Sequence, residues 1–245
     1  MSLAITLVGV DGIVMASDSR ETAQAGGISY HRDDVHKLSN LTEYIGIMSV
    51  GGSVGFANWL LHYFVTKVLP VLETDSADIT DLSRAFSQFL AAQYQIYSEG
   101  MNTNWLVLGE NLIDFTLAGY TQAGQSQIIR LANMGRSIPF VPELLDEPYY
   151  FSGKDTVAYH LVRKLSLEQP TDTMNVELLK RIATLMIVET AQVDDHVSPP
   201  IDLTIIKQGT PVECVKKDEK KQLLGFVNKV VNSGDTLRVL ERGEL

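Results

Sequence analysis

Residues 1–20, MSLAITLVGVDGIVMASDSR, decide the fold class of this chain. The dipeptide Asp11-Gly12 is flanked by two short apolar runs, Leu3–Val8 and Ile13–Ala16. An Asp-Gly pair between two such runs is the strongest short-range signal for a β-hairpin. The chain is therefore predicted to begin with two antiparallel strands joined by a tight turn.

The predicted hairpin brings the beginning of the chain close to charged side chains. In an antiparallel pair, the end of the second strand lies beside the start of the first. Asp18 and Arg20 are therefore expected near Met1-Ser2. A small hydroxyl residue after the initiator Met becomes the new N-terminus once that Met is removed. Ser2 is thus a candidate nucleophile, and the alternative is that it is only where the chain starts.

The composition indicates a globular protein of ordinary kind. Of the 245 residues, 45% are apolar and 20% are charged, which excludes a disordered or fibrous chain. We expect no membrane partner and no secretory signal, because no apolar run is long enough to span a bilayer and the start lacks a basic region. The single cysteine, Cys214, predicts no internal disulfide and a cytoplasmic location. The net charge of −10 disfavours nucleic acid as a partner.

The order of the predicted elements indicates α+β layers. Strands, two helices, strands, two helices and a closing strand follow one another, and clustered strands with clustered helix pairs are typical of layered α+β folds. Residues 21–34 and 132–150 are predicted to be irregular connections. The predicted strands after the hairpin are 35–38, 44–50, 104–108, 113–121, 127–131 and 201–207, and the predicted helices are 54–69, 78–99, 156–165, 175–192 and 222–231.

Several short segments of the chain occur in the order found in one known family. They are DGIVMASDSR at 11–20, HKL at 36–38, GIMSVGG at 46–52, SG at 152–153 and DDHVSPPID at 194–202. With these segments the sequence resembles the proteasome β-subunit family of N-terminal-nucleophile hydrolases, which includes the HslV peptidases and the Anbu proteins. The resemblance implies a four-layer αββα sandwich of two antiparallel sheets over residues 1–208. Residues 209–245 are then expected to form a C-terminal extension packed on or between subunits.

The resemblance also implies roles for individual residues. Ser2 falls at the position of the family's N-terminal threonine nucleophile, Asp18 at its catalytic aspartate and Lys37 at its catalytic lysine. Gly51 matches the glycine whose backbone N–H forms the oxyanion hole. Asp194 matches a second aspartate that supports the site.

Further positions around this site follow from the same resemblance. Arg20 and Ser198 are implied to be supporting residues, although Arg20 could instead form an ordinary ion pair with Asp18 at the end of the strand. The residues implied to line the substrate pocket are Glu21, Val35, Ser49 and Ser53. A pocket with these small and polar side chains and one carboxylate is expected to accept small or basic substrate side chains better than bulky apolar ones.

The residues themselves suit acyl transfer. A serine hydroxyl is a weak nucleophile unless a base takes its proton. A free α-amino group, with a pKa of about 7.7–8.0, does this near neutral pH. In the arrangement that the resemblance implies, Lys37, held by Asp18, is expected to add positive potential, and the Gly51 N–H to stabilise the oxyanion. The expected reaction is attack on an amide carbonyl, formation of an acyl-enzyme on Ser2, and hydrolysis.

Three departures from the family pattern keep other functions open. Ser2 replaces threonine, Lys154 stands where a supporting serine follows the glycine, and Val197 occupies another serine position. The first hypothesis is a peptidase or amidohydrolase that acts inside a ring of identical subunits on a peptide or protein substrate, with an unfoldase or regulator as a further partner. The second is a catalytically inactive structural subunit, and the third is an N-terminal-nucleophile acylase or ligase with a dedicated substrate.

The run Asp194-Asp195-His196 resembles a metal cluster in composition. Adjacent ligands without a partner at a suitable spacing are weak evidence for a metal, so the loop is predicted to support the N-terminal site instead. No metal and no cofactor are predicted.

Overall fold

The computed structural model describes residues 2–25, 28–51, 54–72, 78–100, 113–133, 140–165 and 174–233. Two five-stranded antiparallel sheets face each other at the centre of the fold. A pair of helices covers the outer face of each sheet. This is the αββα sandwich expected from the sequence, and the prediction of the fold class is confirmed.

The first sheet is built around the hairpin predicted at the start of the chain. Its strands are β1 (Leu3–Val8), β2 (Ile13–Asp18), β10 (Tyr149–Gly153), β11 (Ile201–Ile206) and β12 (Glu213–Cys214). They lie in the order β10-β1-β2-β11-β12, so β1 has a neighbour on each side. Val8 pairs with Ile13 next to the turn, and Ala4 pairs with Ser17 towards the other end.

The second sheet has its strands in chain order. They are β5 (Leu38–Asn40), β6 (Gly46–Val50), β7 (Asp114–Tyr120), β8 (Ser126–Ala132) and β9 (Glu143–Leu145). Alternation along β7 sends Phe115 and Leu117 to the helix side and Ala118 to the face that meets the first sheet. A separate two-stranded ribbon consists of β3 (Glu21–Ala25) and β4 (Ile28–Arg32).

The helices pack on the sheets through their apolar stripes. Helices α1 (Val54–Tyr63) and α2 (Ile79–Gly100) cover the second sheet, and α3 (Thr156–Lys164) and α4 (Val176–Val193) cover the first. A π-helical turn (Phe64–Val68) and a 3₁₀ turn (Leu69–Val71) continue α1. Within the described part of the chain, none of the helices is sufficiently long and apolar to span a bilayer.

Two helix starts depend on side-chain caps. Asp78 Oδ1 accepts hydrogen bonds from the backbone N–H groups of Thr80 and Asp81, at 2.8 and 3.2 Å. Asn175 Oδ1 accepts one from the N–H of Leu178 at 3.0 Å. Such caps satisfy backbone donors that have no partner within the helix.

Helix α5 (Lys217–Ser233) lies against α4. Val227 is fully buried with Leu185 and Val188 of α4. The ammonium group of Lys180, on α4, pairs with Glu219 of α5 and with Glu177. The described part of the segment after residue 208 is therefore attached to the first sheet directly by β12, and through α4 by α5.

Some predicted connections contain regular structure. The prediction of a loop at 21–34 is wrong, because β3 and β4 pair there. The Gly and polar residues of this stretch, with Gly26-Gly27 between the two strands, favour a loop in the sequence pattern. The strand predicted at 35–38 begins only at Leu38. The irregular segment predicted at 132–150 contains β9 and the start of β10, each of which begins directly after a proline (Pro142 and Pro148). The strand predicted at 104–108 lies outside the described residues.

Candidate active site

A buried ion pair joins the two sheets at the end where β1 begins. Lys37 Nζ lies 2.8 Å from Asp18 Oδ1, and neither side chain is exposed. The Asp18 carboxylate also accepts hydrogen bonds from the backbone N–H groups of Leu3 and Arg20, both at 2.9 Å. Burial lowers the pKa of the Lys37 ammonium below its usual value, and the Asp18 carboxylate opposes this shift.

Ser2 lies beside this ion pair, at the start of β1. The Ser2 side chain is buried, and its Oγ is 3.5 Å from the backbone oxygen of Arg20. The same oxygen accepts a hydrogen bond of 2.6 Å from Lys37 Nζ. The hydroxyl of Ser2 and the ammonium of Lys37 therefore lie near the same carbonyl oxygen, that of Arg20. The structure brings together the three residues Ser2, Asp18 and Lys37 that the sequence had marked.

The other side of Ser2 is held by the turn after β10. The N–H of Lys154 donates a hydrogen bond of 2.8 Å to the carbonyl oxygen of Ser2. Gly153 has φ = +93°, and a Cβ atom at this position would lie 1.8 Å from the same oxygen. Only glycine combines the left-handed backbone with this close approach. The sequence analysis used Ser152-Gly153 as part of the family resemblance, but it did not predict the close approach of Gly153 to the Ser2 carbonyl oxygen.

Asp194 reaches this turn through the side chain of Lys154. Lys154 Nζ is 2.9 Å from Asp194 Oδ2. The backbone N–H and the ring Nδ1 of His196 are each 2.9 Å from Asp194 Oδ1. Partial burial alone would raise the pKa of Asp194, but the hydrogen bonds from Lys154 and His196 outweigh it and hold the pKa at about 2. The sequence marked Lys154 only as a departure and did not predict this contact.

Arg20 does not form the ion pair with Asp18 that the sequence left open. Its guanidinium binds Asp33 in a two-point contact, with Nε 2.6 Å from Oδ1 and Nη2 2.8 Å from Oδ2. Its Nη1 donates to the backbone oxygen of Asp195 at 2.8 Å. Asp33 was not predicted, because nothing in a polar loop distinguishes one carboxylate from its neighbours.

Ser198 meets the site through its backbone. Its carbonyl oxygen accepts a hydrogen bond of 3.3 Å from the N–H of Ser19, while its hydroxyl donates to the carbonyl oxygen of Pro199. Val197, at the neighbouring position, is buried in the core between the first sheet and its helices. The loop before β11 is therefore fixed to the end of β2.

Gly51 follows β6 directly and has φ = +82°, a conformation that favours glycine. The end of β6 lies against the turn that holds Ser2, since Val50 Cγ1 is 3.3 Å from the position of a Cβ on Gly153. Gly51 is thus placed on the strand end that faces this turn.

Two of the four expected pocket residues, Val35 and Ser49, bond to the backbone beside the buried ion pair, and the charge of a third, Glu21, acts on Lys37. The N–H of Ser49 donates to the carbonyl oxygen of Lys37 at 3.0 Å, and the N–H of Val35 donates to that of Ser19 at 3.1 Å. Both side chains are buried. Glu21 begins β3. Ser53 lies outside the described residues.

A second polar cluster, which the sequence did not reveal, supports the turn from between the sheets. Asp114 Oδ2 accepts hydrogen bonds from Arg130 Nε, the Tyr150 hydroxyl and the Ser152 hydroxyl, at 2.9, 3.0 and 3.1 Å. Burial raises the pKa of Asp114, and these partners oppose the shift. The cluster ties β10, directly before Gly153, to β7 and β8.

The described residues contain no group of three or more His, Cys, Asp or Glu side chains that could hold a metal ion. Asp194 and His196 are in contact, and the ammonium of Lys154 occupies the other carboxylate oxygen.

Comparison with solved structures finds the same fold over nearly the whole chain. Anbu (ancestral beta-subunit) from Yersinia bercovieri is 13% identical, with a TM-score of 0.69, and the match covers 94% of this chain and 95% of that one. An Anbu mutant from Hyphomicrobium sp. strain MC1 is 14% identical, with a TM-score of 0.66 and coverage of 96% and 97%. No protein-family model and no curated protein sequence matches the chain. The similarity at this level of identity is one of fold.

The buried ion pair leads to a prediction about stability. Asp18→Asn leaves the Lys37 ammonium buried without its carboxylate, so we expect the free energy of unfolding to fall by about 3–5 kcal/mol. Urea denaturation followed by circular dichroism measures this loss. Asp81→Asn is the matched control, because the Asp81–Arg84 pair is exposed and is expected to contribute less than about 1 kcal/mol. Equal losses in the two variants would contradict the prediction.

A second prediction concerns the turn that holds Ser2. Gly153→Ala places a methyl group on the Ser2 carbonyl oxygen in addition to the strain of a positive φ. We expect a destabilisation of about 3 kcal/mol or more, measured by the same denaturation. Gly209→Ala is the control: Gly209 also has a positive φ, +68°, but no atom lies within 4 Å of its Cβ position. We expect about 1 kcal/mol there, and a similar loss at both positions would show that the close approach is unimportant.

Proposed function

We propose that this protein is an N-terminal-nucleophile amidohydrolase of the proteasome-like kind, a peptidase whose nucleophile is Ser2 after removal of Met1. The observation that carries the proposal is the contact of Ser2 Oγ and Lys37 Nζ with one carbonyl oxygen, beside the buried carboxylate of Asp18. A structural subunit has no need of a buried lysine next to a hydroxyl. The similarity to Anbu structures adds support at the level of the fold.

The proposed reaction uses the α-amino group of Ser2 as the base. The amine takes the proton of the Ser2 hydroxyl as Oγ attacks the carbonyl carbon of the substrate amide. The C–N bond then breaks, and the α-ammonium gives its proton to the departing amine. Water, deprotonated by the same amine, attacks the resulting ester and releases the acid. As the ester bond breaks, the α-ammonium gives the proton taken from water to Ser2 Oγ, so the hydroxyl and the neutral amine are both restored at the end of the cycle.

The surrounding residues would assist these steps without changing covalently. The Lys37 ammonium contributes positive potential next to Oγ and thereby favours the alkoxide that forms during attack. Asp18 holds Lys37 in position. In the proposal, the N–H of Gly51 receives the oxyanion, which is typically worth a few kcal/mol.

The substrate in this proposal is a peptide or protein with a small or basic side chain at the pocket. Glu21 supplies the carboxylate for a basic group, while Val35 and Ser49 leave limited room. In the assembled form, identical subunits would enclose the sites, and an unfoldase or regulator would deliver the substrate.

A catalytically inactive structural subunit is the second candidate. It is favoured by Lys154, whose side chain forms an ion pair with Asp194, and by the apolar Val197, buried in the core. Both stand at positions where active relatives are expected to carry serine. An acylase or ligase with a dedicated substrate would use the same Ser2 chemistry and differ only in the substrate that it accepts.

The proposal predicts that hydrolysis depends on Ser2. The purified chain is expected to lack Met1 by intact mass and to cleave fluorogenic peptide amides. Ser2→Ala should reduce kcat/KM to the background, because no nucleophile remains, and Lys37→Ala should reduce it by about a hundredfold or more. Ser2→Thr should retain activity.

Ser126→Ala, at an exposed position on β8, is the control and should behave as the parent chain. Retention of Met1, or unchanged activity in Ser2→Ala, would overturn the assignment of the nucleophile. Removal of Met1 without hydrolysis and without an adduct from an electrophile directed at N-terminal serine would favour the structural subunit.

The ring-like assembly yields a separate prediction. Native mass spectrometry of the full chain at micromolar concentration is expected to show a homo-oligomer of defined size. The measurement is independent of catalysis, since Ser2→Ala should assemble in the same way. A stable monomer would contradict an enclosed site.

A further inference from the structure

The contacts of residue 2 belong to a closed ring of interactions that begins and ends at this residue. On one side, the Ser2 carbonyl oxygen accepts the N–H of Lys154; on the other, Ser2 Oγ lies near the carbonyl oxygen of Arg20. Lys154 Nζ pairs with Asp194, and the next residue, Asp195, accepts a hydrogen bond from the Arg20 guanidinium. We call Arg20, Lys154, Asp194 and Asp195 the residue-2 ring.

The course of the Lys154 side chain follows from the order of the strands. Lys154 follows β10, and Asp194 lies in the loop that leads into β11, on the far side of β1 and β2 in the order β10-β1-β2-β11. A side chain that joins these two places passes the N-terminal end of β1. The α-nitrogen of residue 2 lies at this end. The ammonium of Lys154 and the carboxylate of Asp194 therefore lie at the same end of the first sheet as this nitrogen.

We propose that Lys154 and Asp194 are positioning residues that set the protonation state of the α-amino group of residue 2, with the Lys154 ammonium keeping the amine neutral near physiological pH. This rests on the proposed function, because the amine is free only once Met1 has been removed. The neutral amine is the form that accepts the proton of the Ser2 hydroxyl. Lys154 thus helps the α-amino group to act as the base and does not block the site.

The direction of the effect follows from the charges around residue 2. A nearby cation disfavours protonation of an amine, and a nearby carboxylate favours it. Each cation in the neighbourhood is paired with its own carboxylate. When one ammonium is removed, its carboxylate is left unpaired and favours the protonated form of the α-amino group. The charged and titratable groups concerned are Lys37 with Asp18, Arg20 with Asp33, Lys154 with Asp194, and the flanking Glu21, Asp195 and His196.

The test measures the pKa of the α-amino group directly. The full chain from residue 2 onward is released from a cleavable N-terminal fusion, so that Ser2 is the first residue in every variant. Competitive labelling with trace acetic anhydride across a pH series, read by peptide mass spectrometry, gives the pKa. Lys154→Met removes the charge but keeps an unbranched stem, and we expect the pKa to rise by about one unit.

Two further variants give opposite expectations. Asp194→Asn leaves the Lys154 ammonium uncompensated, so the pKa should fall. Lys154→Arg keeps the charge, so the pKa should stay close to that of the parent chain. Lys180→Met is the matched control, because Lys180 is also paired with carboxylates but lies about 20 Å from Asp194 along α4. Its removal should leave the pKa unchanged.

The kinetic readout separates this inference from the proposed function. If the chain is active, Lys154→Met should move the acid limb of the pH profile of kcat/KM upward by the same amount and leave the alkaline plateau in place. A shifted pKa without hydrolysis in any variant would defeat only the proposed function. Hydrolysis with a pKa that is the same in Lys154→Met and Asp194→Asn as in the parent, or that falls in Lys154→Met, would overturn this inference.

Discussion

The buried ion pair between Lys37 and Asp18 is the constraint on which the rest of the site depends. Removing two charges from water is costly unless further hydrogen bonds satisfy them, and here they do: Asp18 accepts the N–H groups of Leu3 and Arg20, and Lys37 donates to the carbonyl oxygen of Arg20. Because Asp18 ends β2 in the first sheet and Lys37 precedes β5 in the second, the pair locks the sheets together at the end where the chain begins. Ser2 is positioned as a consequence.

The opposite flank of Ser2 is held by a different interaction. Gly153 allows the turn after β10 to approach the Ser2 carbonyl oxygen more closely than any side chain would permit. Asp114 fixes that turn to the second sheet through Ser152 and Tyr150. Residue 2 is therefore held between two elements that are each tied to both sheets. Rigid placement of this kind is what a nucleophile requires, because reacting groups must be aligned before the reaction begins.

The sequence predicted those parts of the fold whose local pattern agrees with their final surroundings. The Asp11-Gly12 hairpin and the amphipathic helices α2 and α4 are of this kind, since turn chemistry and apolar periodicity are local properties. The ribbon of β3 and β4 escaped prediction because its Gly and polar residues favour a loop. At the site, the predicted hairpin brought Ser2 and Asp18 together, and Lys37 was added by a family resemblance. The contacts of Lys154 and Asp33 depend on side-chain directions that appear only once the sheets are assembled.

The charges around residue 2 influence whether its α-amino group is neutral or protonated. Lys37, Arg20 and Lys154 are cations, and each has a carboxylate of its own within 3 Å. A neutral α-amine leaves this set balanced. In the proposed function, a protonated amine would add a further positive charge to these three cations. In the proposed function, the set of ion pairs that holds the site together would thus also favour the neutral amine, which is the form that acts as a base.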